Sequence, residues 1–308
     1  MPASSRGQAA TTKGKAMTRN AARPRRSVLY MPGANARALE KARDLDADAV
    51  IMDLEDAVAP DAKVAARATV AAALAAGDYG PREVAVRVNG LETPWGHDDL
   101  VWAATLPIDA VVVPKVESAD ALRRVAAALG AAGAPDGLAL WAMMETPMAM
   151  LRAAEIAGAG GRLAVLVMGT SDLVTDLQGR HTPDRLGLVT GLGLCLLAAR
   201  AHGLAILDGV HLDLDDDAGF AAQCRQGVEF GFDGKTLIHP KTIAAANAHF
   251  GPDSQAVAWA ERIIAAHGAA LDAGQGMAVV DGKLIENLHI AEAERTLALA
   301  AAIAARVG

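Results

Sequence analysis

Only two cysteines, Cys195 and Cys224, occur in a chain of 308 residues, and both lie in apolar or helical surroundings. They read as reduced core thiols rather than a disulfide, which makes the cytoplasm the expected compartment. No uninterrupted apolar run approaches the about 20 residues that a membrane-spanning helix needs. No apolar segment follows the first basic residues either, so a secretory signal is not expected. The sequence also lacks any Cys or His cluster of the kind that binds zinc. Acids are missing from positions 1–26, which hold seven Lys or Arg, so the net charge of −7 leaves about −14 for the rest. An acidic body argues against a general nucleic-acid binder.

What the chain does have is core-forming material: 52% of its residues are hydrophobic and 21% charged. Residues 1–25 are the exception. Basic and rich in Ala, Ser and Thr, they cannot bury enough apolar surface to fold alone and are expected to form a disordered tail. A transit peptide shares that composition, and Met17 offers a second start.

From 26 to 248, short apolar runs alternate with Ala-rich helical stretches. The runs are SVLYMP (27–32), AVIMDLED (49–56), EVAVRVN (83–89), AVVVPK (110–115), LALWAMME (138–145), LAVLVMG (163–169), LAILDGV (204–210) and FDGKTLIHP (232–240). Strands buried on both faces lose the in-out alternation of an exposed sheet, which is the mark of parallel pairing with helical crossovers. Eight such units in about 215 residues predict an α/β fold, a closed (β/α)8 TIM barrel, with a doubly wound open sheet as the alternative. Residues 249–308 read as a C-terminal helical arm. It comprises a helix over 253–272 capped by Asp253 or Ser254, the turn-rich GQGMAVVDGKLIEN, and a closing helix from about 290 to 306. So small a core has to pack on the barrel or on a neighbouring subunit.

A barrel of this kind carries its chemistry where the strands deliver their C-terminal ends. Here those ends are Gly33, Glu55 with Asp56, Arg87 with Asn89, Lys115, Glu145, Gly169 through Asp172, Asp208, and Lys235 with His239. Acids outnumber bases. Carboxylates converging on one rim repel one another unless a cation sits among them. Hard oxygen ligands favour Mg2+ over Zn2+, and Glu145 and Asp172, ending neighbouring strands, are the expected ligands. An alternative for Glu145 is an acid at the start of the helix near Pro147. Gly169 and Thr170, leading into Asp172, are expected against the substrate.

Arg87 interrupts a pure strand pattern, and a guanidinium there needs an anion. Internal pairing with Glu55 or Asp56 and a grip on a substrate carboxylate both satisfy it, and the two are compatible. In MPGANARALEKA, Gly33 and Asn35 open a helix whose free N–H groups suit a phosphate, with Arg37 and Lys41 on one face; a solvated first helix looks the same.

In this order RRSVLYMPGANARALEKA, DAVIMDLEDAVAP, VAVRVNGLET, AVVVPKVES, the Glu145 strand, MGTSDL and GFDGKTLIHPKTI resemble the citrate lyase β-subunit-like acyl-CoA lyases of the HpcH/HpaI aldolase superfamily, over about residues 24–300. The resemblance implies a Mg2+-dependent barrel, usually a homotrimer or dimer of trimers, that breaks or forms a carbon–carbon bond between an acyl-CoA and a 2-oxo acid. It implies Glu145 and Asp172 as metal ligands, Arg87 as the substrate-carboxylate contact, Glu55 and Asp56 as acids holding metal waters and Arg87, and Gly33, Asn35, Arg37 and Lys41 near the CoA phosphates. Many members carry an Asp in a GKMID segment of the arm, donated across the subunit interface as a general acid or base. Here GKLIENLH places Glu286 there, and a carboxylate shifted by about 1.5 Å can cost roughly 10²-fold in rate.

The expected reaction is cleavage of a 3-hydroxyacyl-CoA such as malyl-CoA, methylmalyl-CoA or citramalyl-CoA into an acyl-CoA and a 2-oxo acid. The competing expectations are a citrate lyase β subunit acting on a carrier-bound citryl thioester, a Schiff-base aldolase using Lys115 or Lys235, and a non-catalytic carrier.

Overall fold

The computed structural model describes residues 23–274 and 277–306. The disordered tail expected for residues 1–25 falls, up to residue 22, outside them. The described chain divides into two compact units, one spanning Arg25–Asn247 and the other beginning at Ala248.

In the first unit all eight apolar runs become strands: β1 (Ser27–Pro32), β2 (Ala49–Asp53), β3 (Glu83–Arg87), β4 (Ala110–Val113), β5 (Ala139–Met144), β6 (Leu163–Met168), β7 (Ala205–Asp208) and β8 (Gly234–Leu237). They close in sequence order, and every neighbouring pair is parallel, β8 returning to β1. The open-sheet alternative is excluded by that closure. Alternate residues point inward, and the interior is filled by Val28, Ala49, Ile51, Ala85, Ala110, Val112, Trp141, Met143, Val165, Val167, Ala205 and Leu207. Trp141, fully buried, is the largest of them. The residues left outward on the strands meet the surrounding helices, which explains why both parities are apolar.

Charged pairs brace the N-terminal end of the barrel. Arg26 grips Asp48 through Nε at 2.8 Å and a second nitrogen at 2.9 Å, and Arg25 grips Glu83 at 2.6 and 2.9 Å. Arg25 also lies 5.6 Å from the Trp141 ring centre. Arg25, which composition assigns to the tail, is 4% exposed and part of the barrel floor. Its carboxylate partner comes from β3, a tertiary contact that tail composition does not reveal.

The second unit has its own small core. Helices Ser254–Asp272 and Asn287–Ala304 enclose Ile263, Val280, Ile285 and Ala293 with two short strands, β9 (Ala278–Val280) and β10 (Lys283–Ile285). Asp253 caps the first helix by accepting from the Ala256 amide at 2.7 Å. The segment expected to be merely turn-rich is an antiparallel hairpin, turning on Asp281 and Gly282, both at positive φ (49° and 75°). Asp-Gly is the residue pair that such a two-residue turn favours. Among the described residues no helix is long and apolar enough to cross a membrane. Cys195 and Cys224 are both free and buried, and burial pushes their thiols up to about 12 and about 11, so neither is a ready nucleophile.

One glycine controls barrel closure. A Cβ on Gly234, at the start of β8, would overlap the Arg25 carbonyl oxygen and press on the Arg26 Cα. Gly234→Ala is expected to destabilise the protein by about 1–3 kcal/mol, as overpacking does, measured by thermal or urea denaturation; parent-like stability would show that the floor yields.

Candidate functional site

The inward parity that builds the apolar interior continues to the C-terminal ends of the strands, where it turns polar. Two residues beyond Ile51 comes Asp53, two beyond Ala85 comes Arg87, two beyond Met143 comes Glu145, and two beyond Val167 comes Gly169. These residues line a cavity of about 360 Å³ together with Tyr30, Asp56, Thr170, Asp172, Val210, Leu212 and Thr236. Six of the sequence-expected residues thus meet there: Asp56, Arg87, Glu145, Gly169, Thr170 and Asp172. Glu55 joins them through its contact with Arg87.

Arg87 is 6% exposed and held from three sides. Asp53 takes Nε and a terminal nitrogen, each at 2.6 Å; the other terminal nitrogen lies 2.7 Å from Glu55 and 3.2 Å from Asp56. The guanidinium also lies 5.0 Å from the centre of the Tyr30 ring. Internal pairing therefore exists, and its principal partner, Asp53, is a residue that strand-end reasoning passed over. Strand parity would have found it, since Ala49, Ile51 and Asp53 share one face. Asp53 organises its own loop as well, accepting from the Glu55 amide at 2.9 Å and the Ala57 amide at 3.1 Å. Tyr30 was also missed. Burial pushes its phenol well above the ordinary value, so it stays neutral beside the guanidinium.

Glu145 is 2% exposed. One of its oxygens accepts the Lys115 backbone N–H at 2.7 Å, and Lys115 adopts φ 47°, a strained conformation outside glycine, to present it. Burial pushes the Glu145 carboxyl up to about 7; the Lys115 amide opposes this and Asp172 adds to it. The reading of Glu145 as a helix-start acid does not hold, because Thr146 caps the helix Pro147–Leu151 by accepting from Ala149 at 3.1 Å. Asp172 sits in the first turn of the helix Thr170–Asp176, 3.9 Å from the Lys115 ammonium. Although burial would lower it, that ammonium is held above its ordinary value by Asp172, Glu55 and Glu145. Glu55 is pushed up to about 8, by burial first and by Asp56 next, with Arg87 opposing. A Cβ on Gly169 would overlap the second Glu145 oxygen, so glycine there keeps the space beside that carboxylate open. Among the described residues no group of three His, Cys, Asp or Glu is arranged to hold a metal. Glu145 and Asp172 both line the cavity, and each presents oxygen, the donor type that Mg2+ takes.

Other expectations are placed differently. The Gly33 amide, expected to be free for a phosphate, donates to the Asp53 carbonyl at 2.8 Å, and a Cβ there would meet the same oxygen at 2.6 Å. Gly33 is thus a close-approach residue between β1 and β2. Asn35 caps the short helix Ala36–Lys41 by accepting from Ala38 at 3.1 Å. Arg37 and Lys41 are exposed. Lys235, a Schiff-base alternative, is fully buried and donates to Asp208 at 2.9 Å, to the Gly209 carbonyl and to Gln223. Asp208 in turn takes Arg185 at 2.7 and 2.9 Å. Burial works against its charge, but Lys235 and Arg185 together hold its carboxyl below the ordinary range. Lys235 presents no free amine to the cavity. Glu286 lies in the second unit as the N-cap of the helix Asn287–Ala304, its N–H donating to His289 Nδ1 at 3.0 Å.

Three similarities bear on this site. A (3S)-malyl-CoA thioesterase of Cereibacter sphaeroides is 56% identical over 284 residues, covering 92% of this chain and 97% of that one. The L-malyl-CoA/beta-methylmalyl-CoA lyase of the same species is 35% identical over 307 residues, covering 89% and 93%. The structure of CitE from Mycobacterium tuberculosis in complex with magnesium, acetoacetate and coenzyme A superimposes with a TM-score of 0.72 at 30% identity, covering 89% of this chain and 97% of that one. The profile of one family matches residues 26–240, the whole barrel, and with it the chain belongs to the HpcH/HpaI aldolase/citrate lyase family, enzymes of CoA-related lyase chemistry.

Proposed function

We propose that this enzyme binds Mg2+ at Glu145 and Asp172 and cleaves a malyl-CoA-type 3-hydroxyacyl-CoA into an acyl-CoA and a 2-oxo acid. The observation that carries the reading is the shared cavity, which the buried Arg87 guanidinium and the Glu145 and Asp172 carboxylates all line. Magnesium and coenzyme A in the CitE complex support the ion and the CoA part of the substrate. Bound there, Mg2+ would act as a Lewis acid toward the substrate's hydroxyl and carboxylate oxygens.

The chain's own residues supply the rest. Arg87, its charge pointed by Asp53, steadies the substrate carboxylate. Glu55, 2.7 Å from Arg87 and raised by burial to about 8, is the acid best placed to exchange a proton with the hydroxyl, and it accepts that proton once its own carboxyl is ionised. The bond between the hydroxyl-bearing carbon and the carbon beside the thioester then breaks. The electron pair passes to the thioester as an enolate, which takes up a proton to give the acyl-CoA. On this reading the exposed Arg37 and Lys41 meet the CoA phosphates, and Glu286 serves a neighbour's site in a homotrimer.

The 56% identity to malyl-CoA thioesterases favours a second reading on the same substrate, one not weighed from sequence. In it, water attacks the thioester carbonyl and releases CoA thiol with the intact hydroxydicarboxylate.

Two measurements check these readings. With Mg2+ and a panel of 3-hydroxyacyl-CoA thioesters, cleavage yields a 2-oxo acid without free thiol, and hydrolysis yields thiol without oxo acid. Glu145→Ala and Asp172→Ala should each lower either activity by about 10²-fold or more; full activity in both would overturn the site assignment.

The second measurement is pH dependence without metal. Glu145 and Glu55 have folded values raised from 4.5 to about 7 and about 8, so the folded state binds the extra protons. Their contribution to stability is complete below 4.5 and lost as pH rises through 7 and 8. The melting temperature of the metal-free protein should fall across that window and less steeply in Glu145→Gln, and Mg2+ should oppose the fall. An identical slope in Glu145→Gln would refute the assignment of the buried proton.

A further inference from the structure

Lys63 is the first residue of the helix Lys63–Ala75 and shares that helix's buried face with Ala66 and Val70. It is 7% exposed, and among the described residues it has no carboxylate within ion-pair distance. Burying an ammonium in an apolar position is costly, so what it touches has to justify it. Its Nζ donates to two successive carbonyls, Leu54 at 3.0 Å and Glu55 at 2.9 Å, and lies 5.3 Å from the centre of the Trp95 ring. A second layer holds those groups in turn. Asn89 donates to the same Leu54 oxygen at 3.1 Å and to Asp99 at 2.7 Å, while Arg67 donates to Asp99 at 2.5 Å and to the Trp95 carbonyl at 3.0 Å.

The two carbonyls belong to the loop that carries the acids. Leu54 N–H still follows the β2–β3 ladder by donating to Arg87 O at 2.9 Å, and the Glu55 carbonyl also accepts from Val58 at 3.0 Å. The chain must therefore bend between these bonds. With both carbonyls turned toward Lys63, the Glu55 side chain is free to reach Arg87 at 2.7 Å. We infer that Lys63 is a positioning residue: clamped between the two carbonyls and the Trp95 ring, its ammonium sets the 54–58 loop so that Glu55 and Asp56 face Arg87. Through Trp95, the loop of residues 90–99 is tied to the same setting. This role rests on the site proposed above, but its first readout does not.

The test uses the full-length protein with Mg2+. Lys63→Met keeps the stem and removes the donors, whereas Lys63→Arg keeps donors. In hydrogen exchange read by mass spectrometry, peptides covering residues 53–62 should exchange about tenfold faster in Lys63→Met, with β5 and β6 unchanged. In turnover, kcat/KM should fall by about 10²-fold, with Lys63→Arg recovering most of it. Should Lys63→Met fail to fold, Trp95→Leu, which leaves the lysine in place, should show the same local acceleration to a smaller degree. Parent-like exchange over 53–62, acceleration spread evenly across the barrel strands, or no rescue by arginine would each overturn the inference. A parent enzyme that turns over no 3-hydroxyacyl-CoA would sink the functional reading instead, and the exchange result would still decide this one.

Discussion

A guanidinium enclosed at the top of a closed barrel, with a carboxylate 2.6 Å from two of its nitrogens, is the constraint from which the rest of the site follows. Removing one partner of a buried pair costs about 3–5 kcal/mol, a large part of the about 5–15 kcal/mol that holds a protein folded. Asp53 is therefore as much a structural residue as a functional one, because it also accepts the amides that begin the acid loop. Glu55 and Asp56 contact the same arginine from farther out and with more exposure. One buried cation thus collects three acids, and the local balance is negative before Glu145 and Asp172 are counted. Burial raises the Glu55 and Glu145 carboxyls to about 8 and about 7, and the neighbouring acids add to that rise.

The barrel was legible because a strand buried on both faces announces itself as a continuous apolar run, and eight runs with polar ends leave few topologies. Arg87, Glu145 and Asp172 were legible as interruptions or terminations of those runs. Asp53 was harder to see, since it stands beside two other acids, and only the parity shared with Ala49 and Ile51 separates it from them. Gly33 misled for a different reason. A glycine before a helix looks like an anion turn, and only the tertiary approach of β1 to β2 shows that its amide is already engaged. Lys63 has no signal in a single sequence at all: a lysine at the first position of a helix is ordinary on a surface, and the Trp95 ring beside it comes from another loop.

Lyase and thioesterase relatives flank this chain on one scaffold, which is physically reasonable. On the proposed reading, both reactions hold the hydroxyacid end of the substrate by the same cation and guanidinium. They diverge farther along the substrate, at the thioester carbonyl. Cleavage places negative charge on that carbonyl as an enolate, whereas hydrolysis needs water at its carbon. On that reading the residues that discriminate between the two reactions stand apart from Arg87, Glu145 and Asp172, because the shared end of the substrate lies away from the thioester.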